Sequence, residues 1–201
     1  MTGKERREQL LDVGRKLFAE KGFEGTSVEE IAATAQVSKP VVYEHFGGKE
    51  RLYEAVVDGE MAQLLESFQT ALSSAGHPRE LLERAALVLL DYIEDDTDGF
   101  RVLTRDAPLT SGTGTFSSLI GEVARRVEHI LGQQFGTRGY DSRLAELYSQ
   151  ALVGMVALVG QWWLDTRSPD KREVAAHLVN LAYNGLAHLD PAPELVDRAE
   201  G

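Results

Sequence analysis

Between Thr26 and Lys49 the chain reads TSVEEIAATAQVSKPVVYEHFGGK, two short helical patterns meeting at a turn that neither can cross. No other stretch narrows the possible folds as much. Val28, Ile31, Ala32 and Ala35 share one face at helical spacing. Thr26 or Ser27 can cap this segment, and Glu29 and Glu30 suit the positive end of its dipole. Gln36 and Val37 fill the turn. Ser38 then caps a second helix, Pro40 sits in its first turn where a missing N–H costs nothing, and Gly47-Gly48 stops it after Phe46. Two helices of this size on so short a turn predict a helix-turn-helix, whose second helix enters a DNA major groove. The alternative is a buried helical hairpin with a solvated polar face.

Residue choice along the second helix favours DNA. Lys39, Pro40 and Val41 lie at its N-terminal end, where base edges are reached, and Tyr43, His45 and Lys49 can donate to phosphate. Glu44 can accept from cytosine or repel phosphate, and both readings stand. Thr26, Ser27 and Ser38 complete the candidate DNA-contacting set. Ahead of them, residues 4–21 form a helix with Leu10, Gly14, Leu17 and Phe18 inside, closed by Lys21-Gly22. Lys4, Arg6 and Arg7 either reach a backbone or minor groove or mark a solvated helix start.

A net charge of −11 is unusual for a DNA binder. Its distribution resolves part of the conflict. Residues 1–51 hold nine Lys/Arg and nine Asp/Glu, whereas residues 52–201 hold twelve and twenty-three. The acidity belongs to the larger C-terminal part, where it aids solubility and disfavours non-specific DNA contact. The polar N-terminus shows no secretory signal, and the absence of cysteine suits a reducing cytosol. A cytoplasmic location is expected.

Long 3.6-residue periodicity predicts an all-α fold: a three-helix DNA-binding domain over 1–48 and a larger helical domain over 49–201. Helices are expected over Lys49–Ser74, Arg79–Glu94, Phe100–Asp106, Phe116–Phe135, Ser142–Asp165 and Val174–Leu189, with a Gly-rich loop at Thr110–Thr115. Only Gly47-Gly48 parts the long Lys49–Ser74 helix from the helix-turn-helix, so motion at its far end must tilt the reading head. The run Ala151–Leu164 is apolar nearly all round, yet at 14 residues falls short of the ~20 that span a bilayer. No membrane partner is expected. A helix apolar on every side needs a partner on every side. Gly154, Leu158, Ala182, Gly185 and Leu186 on the last two helices therefore predict a four-helix seam in a homodimer, with a core inside the single chain as the alternative.

Catalytic signatures are missing: GxxxxGK[ST], HExxH, GxSxG and CxxC do not occur, and no enzyme or cofactor is expected. Glu94–Gly99, EDDTDG, has the first half of a calcium loop, but its twelfth position is Arg105 and a solvated helix end is the plainer reading. Five scattered histidines lack ligand spacing, so no metal is expected.

VSKPVVYEHFGGKERLY, with the preceding GTSVEEIAATA, closely resembles the DNA-binding signature of the TetR (tetracycline-repressor) family, with the look of actinobacterial members. The turn, Tyr43-x-x-Phe46 and Lys49 fall at the family's spacing, over about residues 5–60; beyond that the likeness is in helical architecture and length. The resemblance implies a one-component transcriptional regulator, usually a repressor, acting as a homodimer on a palindromic operator in double-stranded DNA. It also implies a ligand cavity among the C-terminal helices. Phe68, Tyr92, Phe100, Phe116, Val123, Tyr148 and Trp162 are the candidates to line it, for a small apolar or aromatic effector. A constitutive DNA binder with a filled core, and an activator, are the competing readings.

Overall fold

Thr2 opens the first helix with a reciprocal cap: its hydroxyl accepts from the Glu5 N–H, and the Glu5 carboxylate accepts from the Thr2 N–H. The structure, a computed structural model, describes residues 2–73, 76–104 and 116–195. Helix α1 (Gly3–Lys21) ends at Gly22, whose φ of 74° breaks the helical path. Helix α2 (Val28–Thr34) is capped by Ser27, whose Oγ accepts from the Glu30 N–H at 3.1 Å. Thr26 is not the cap. It is 2% exposed, and its hydroxyl donates to Gly22 O at 2.8 Å, stitching the end of α1 to the start of α2.

Gln36, with φ 55°, turns the chain, and the Val37 N–H donates back to Ala32 O at 2.9 Å. Helix α3 (Lys39–Phe46) follows an extended Ser38 whose side chain makes no capping bond. Gly47 closes it in the left-handed conformation, its N–H donating to Tyr43 O at 2.7 Å. Leu10, Phe18, Ile31, Val42 and Phe46 are buried between these three helices. Helix α4 (Lys49–Ser73) begins two residues later and sends Leu52, Tyr53 and Val56 into that same core, Tyr53 meeting Phe18 edge-on at 5.0 Å.

The rest is helical among the described residues: α5 (Pro78–Asp95), α6 (Thr97–Thr104), α7 (Phe116–Arg138), a 3-10 turn (Ser142–Leu144), α8 (Ala145–Thr166) and α9 (Lys171–Ala187). Helix α5 sits between α4, α8 and α9, α7 packs along α8, and short α6 lies against α1, α4 and α5. The main core runs without interruption from Leu10 to Val179; a smaller cluster around Leu131, Phe135 and Ala145 closes the far end. The expected all-α fold, with an N-terminal helix-turn-helix and a larger helical domain, is the fold observed.

Several boundaries differ from expectation, among them the start of α8, at Ala145 after the 3-10 turn, and the end of α9, at Ala187. Helix α6 starts at Thr97, not Phe100, because the Asp96 carboxylate accepts from the Gly99 N–H at 2.9 Å and caps it. Helix α7 continues past Phe135 to Arg138, and α9 starts at Lys171 because Asp170 caps it. The Gly-rich loop expected at Thr110–Thr115 lies outside the described residues.

Candidate functional site

The exposed side of α3 carries Lys39, Pro40, Tyr43 and Glu44, with Val41 and His45 half-buried beside them and Ser27 and Ser38 at the margin. Tyr43 is 52% exposed, high for a ring that has core positions within one turn. Thr26, by contrast, lies inside, where its hydroxyl cannot reach a phosphate. Lys39 is paired with Glu29 across the turn, which holds that carboxyl below its usual range. Lys49 is tied down at the back: its Nζ donates to Phe23 O at 3.0 Å and lies 4.1 Å from the centre of the Phe23 ring. Behind the face, Arg7 covers Phe46 at 4.8 Å, and Gln9 donates to Ala35 O at 3.1 Å, closing the C-terminal end of α2.

In the larger domain an apolar cavity of about 380 Å³ lies between α4, α5, α7, α8 and α9. Phe68 and Leu72 of α4 form one wall and Leu81, Ala85 and Leu89 of α5 another. Phe116 and Val123 of α7 and Val156 and Ala157 of α8 enclose the remainder. Polar groups are few: Gln134, Arg138 and Tyr183, where the C-terminal turns of α7 and α9 meet. Arg138 is occupied there, donating to Leu186 O at 3.0 Å and Ala187 O at 2.9 Å. These carbonyls end α9, where a cation is electrostatically favoured.

Of the residues expected around a ligand, Phe68, Phe116 and Val123 line this cavity; Tyr92, Phe100, Tyr148 and Trp162 do not. Tyr92 is buried, which pushes its phenol pKa far up, helped by its hydroxyl donating to Glu60 Oε2 at 2.6 Å. Phe100 backs the wall, edge-on to Phe116 at 5.6 Å. Tyr148 belongs to the smaller cluster, 5.5 Å from Phe135. Trp162 points outward, 52% exposed. Aromatic type alone was a poor guide; the aliphatic stripe of α5 at helical spacing was the better signal.

Trp162 has company outside. Leu147 and Leu158 on α8 and Leu181 on α9 are each more than 60% exposed, and Gly154 and Gly185 have nothing within 4 Å of where a Cβ would stand. Leu158 and Gly185 are exposed and Gly154 is half-buried. Ala182 is instead buried within the chain, and Leu186 lines the cavity. By length and composition Ser142–Thr166 is long and apolar enough to cross a membrane, more than the 14-residue count suggested. Among the described residues no group of His, Asp and Glu could hold a metal ion. The acidic run Glu94–Gly99 is used otherwise.

Two family profiles cover most of the chain. Residues 10–56 match the bacterial regulatory proteins of the tetR family, and residues 78–185 match the tetracyclin repressor-like C-terminal domain. The HTH-type transcriptional activator FasR of Mycolicibacterium smegmatis is 31% identical over 190 residues, 92% of this chain and 84% of its own. The HTH-type transcriptional repressor KstR2 of Rhodococcus jostii is 34% identical over 87 residues, 43% of this chain and 42% of its own. A TetR-like regulator from Rhodococcus sp. RHA1 superposes with a TM-score of 0.70 at 28% identity, covering 90% of this chain and 96% of that one. FadR, a fatty acid degradation regulator from Bacillus halodurans, shares the fold with a TM-score of 0.74 at 18% identity, covering 92% and 97%. FasR and KstR2 are both named regulators of transcription. With its reading head and its helical body matched separately, and one relative aligned along nearly its whole length, the chain belongs to the TetR family of DNA-binding bacterial transcriptional regulators.

Proposed function

We propose that this protein is a ligand-responsive regulator working as a homodimer on a palindromic operator, with residues 1–48 as reading head and 49–201 as effector and dimerisation domain. The observation that carries this is the sharing of α4. Its first turns put Leu52 and Val56 into the core of the head, and Phe68, four turns on, stands in the cavity wall. A cavity lined almost wholly by apolar side chains suits a small apolar or aromatic effector. A molecule packed there presses on the helix that carries the head; only a difference in its affinity for two head arrangements can move DNA binding. Ser27, Ser38, Lys39, Pro40, Val41, Tyr43, Glu44 and His45 form the DNA-facing set, while Lys49, held on Phe23, backs it and reaches a phosphate only by leaving that carbonyl. The open face of α8 and α9 meets its copy across a two-fold axis, which gives the long apolar helix a protein partner in the cytoplasm rather than a bilayer.

Repression by operator occupancy is the default reading. Activation is favoured by the FasR likeness, since that relative is named an activator and aligns along most of both chains. The test begins by sequencing the DNA that the purified protein selects, then screening compounds for release of that DNA. Ala85→Trp, which fills the cavity from α5, should keep operator binding and abolish release. A variant that lets go of DNA in response to the same compound as wild type would show that the effector does not bind in this cavity, and a wild type that no compound releases would overturn the sensor reading.

A further inference from the structure

The acidic run that resembles half a calcium loop forms the elbow between α5 and α6, and it is tied down from two directions. From the reading head, Arg15 of α1 donates through Nη1 to Asp96 Oδ2 at 2.6 Å and to Glu60 Oε1 of α4 at 3.3 Å. Glu60, 7% exposed, accepts through its other oxygen from the Tyr92 hydroxyl at 2.6 Å. Asp96 holds Arg15 with one oxygen while capping α6 with the other. Gly99 packs so closely that an added Cβ would stand 2.6 Å from the Tyr92 hydroxyl and collide with the Glu60 carboxylate.

The opposite side of the elbow is held by the link between α8 and α9. Arg167, itself left-handed at φ 51°, donates through Nη2 to Ile93 O at 2.9 Å and to Thr97 Oγ1 at 2.8 Å, and stacks over Trp163 at 4.8 Å. Lys171 pairs with Asp91 at 2.7 Å and with Glu94. One short segment thus joins α1 of the head to the helices bearing the open apolar face, without passing through the cavity wall.

We propose that the Arg15–Asp96–Glu60 clamp is the element that fixes the angle of the reading head relative to α8 and α9, with Arg15 as its positioning residue. Apolar contacts between α1, α6 and α4 hold these helices together but allow them to slide; hydrogen-bonded charges at low exposure have a single satisfied geometry. Removing the guanidinium leaves two carboxylates facing each other, and the elbow and head part. In the dimeric reading this angle sets the spacing of the two heads, but the clamp itself acts within one chain.

The test therefore reads a distance within one chain, independent of DNA, effector and dimer. The protein has no cysteine, so Glu24→Cys on the head and Ala176→Cys on α9, both exposed, can carry spin labels. Dilution with unlabelled chain removes distances between subunits. The parent should give one narrow distance distribution. Arg15→Met and Asp96→Asn should each broaden and shift it, with native helicity by circular dichroism. Lys21→Met, which breaks the Lys21–Glu30 pair confined to the head, should leave it unchanged. If Arg15→Met does not fold, Asp96→Asn decides alone, since its remaining carbonyl oxygen can still cap α6. Parent-like distributions in the folded clamp variants, or equal broadening by Lys21→Met, would overturn the proposal.

Discussion

In the proposed DNA-facing set Lys39 can meet a base only by leaving Glu29, so this exposed pair would compete with DNA. Glu29→Gln should raise operator affinity at low salt, with the gain fading as salt rises, because screening weakens both the pair and the carboxylate's repulsion of phosphate. Titration by fluorescence anisotropy at two salt concentrations checks this; unchanged affinity at low salt would show that the pair does not compete. The place of Lys39 at the head of the second helix was readable from the sequence, but its partner ten residues earlier on another helix was not, because the pairing depends on how the two helices cross. The same limit applies to Thr26 and Ser27, adjacent hydroxyls equally able to cap; only the tertiary fold turns one inward to Gly22 O. Glu60 gives a second prediction. Burial pushes its carboxyl above the usual range, with Asp96 adding to the rise and the Tyr92 hydroxyl and Arg15 opposing it. The folded chain therefore holds this proton more tightly than the unfolded chain does. The contribution to stability is complete below the unfolded value of about 4.3 and is lost as pH rises through the raised folded value. The unfolding free energy of wild type minus that of Glu60→Gln, from urea titrations across this range, should fall with rising pH.

Helices were legible where period and punctuation agreed. The turn at Gln36-Val37, the stop at Gly47 and the inner stripe of α5 all lie where local chemistry puts them. Boundaries failed where a distant group overrode a local signal. Helix α7 runs through Gly136, and beyond it Arg138 finds the last carbonyls of α9. Helix α6 starts early because Asp96, which looked like a metal ligand or a solvated end, is a cap and an ion-pair partner. The cavity lining escaped for a related reason: helical periodicity separates inside from outside but does not tell a wall facing a void from one facing a neighbour. At this scale the elbow yields a third prediction. Gly99→Ala must displace the Tyr92 hydroxyl or the Glu60 carboxylate, and overpacking of this kind costs about 1–3 kcal/mol. A urea midpoint for Gly99→Ala equal to wild type would mean the elbow has room the structure does not show.

For the whole molecule, Leu147, Leu158, Trp162 and Leu181 are exposed in the single chain, so in the proposed dimer they would serve assembly rather than folding. Because Leu158 is 67% exposed in the single chain, Leu158→Glu should keep helicity yet give a monomer by light scattering, with operator affinity lost because one head makes half the contacts. A dimer that persists would place the interface elsewhere. Leu186→Glu would be a poorer probe, since its side chain lines the cavity. The sequence showed that α8 needed partners all round, but not which side its own chain would cover, because the pattern there is nearly uniform. The separation of charge between head and body has one more effect. Lys39 and Lys21 each sit against a glutamate, residues 1–51 balance, and the remainder carries the whole −11. Most of a regulator's hold on arbitrary DNA comes from unbalanced cations displacing counterions. A molecule built this way is expected to leave little of its population stored along the chromosome and to search mainly through solution. Promoter occupancy would then follow the number of copies in the cell closely, so a change in synthesis or dilution at division would reach the promoter without a reservoir to buffer it.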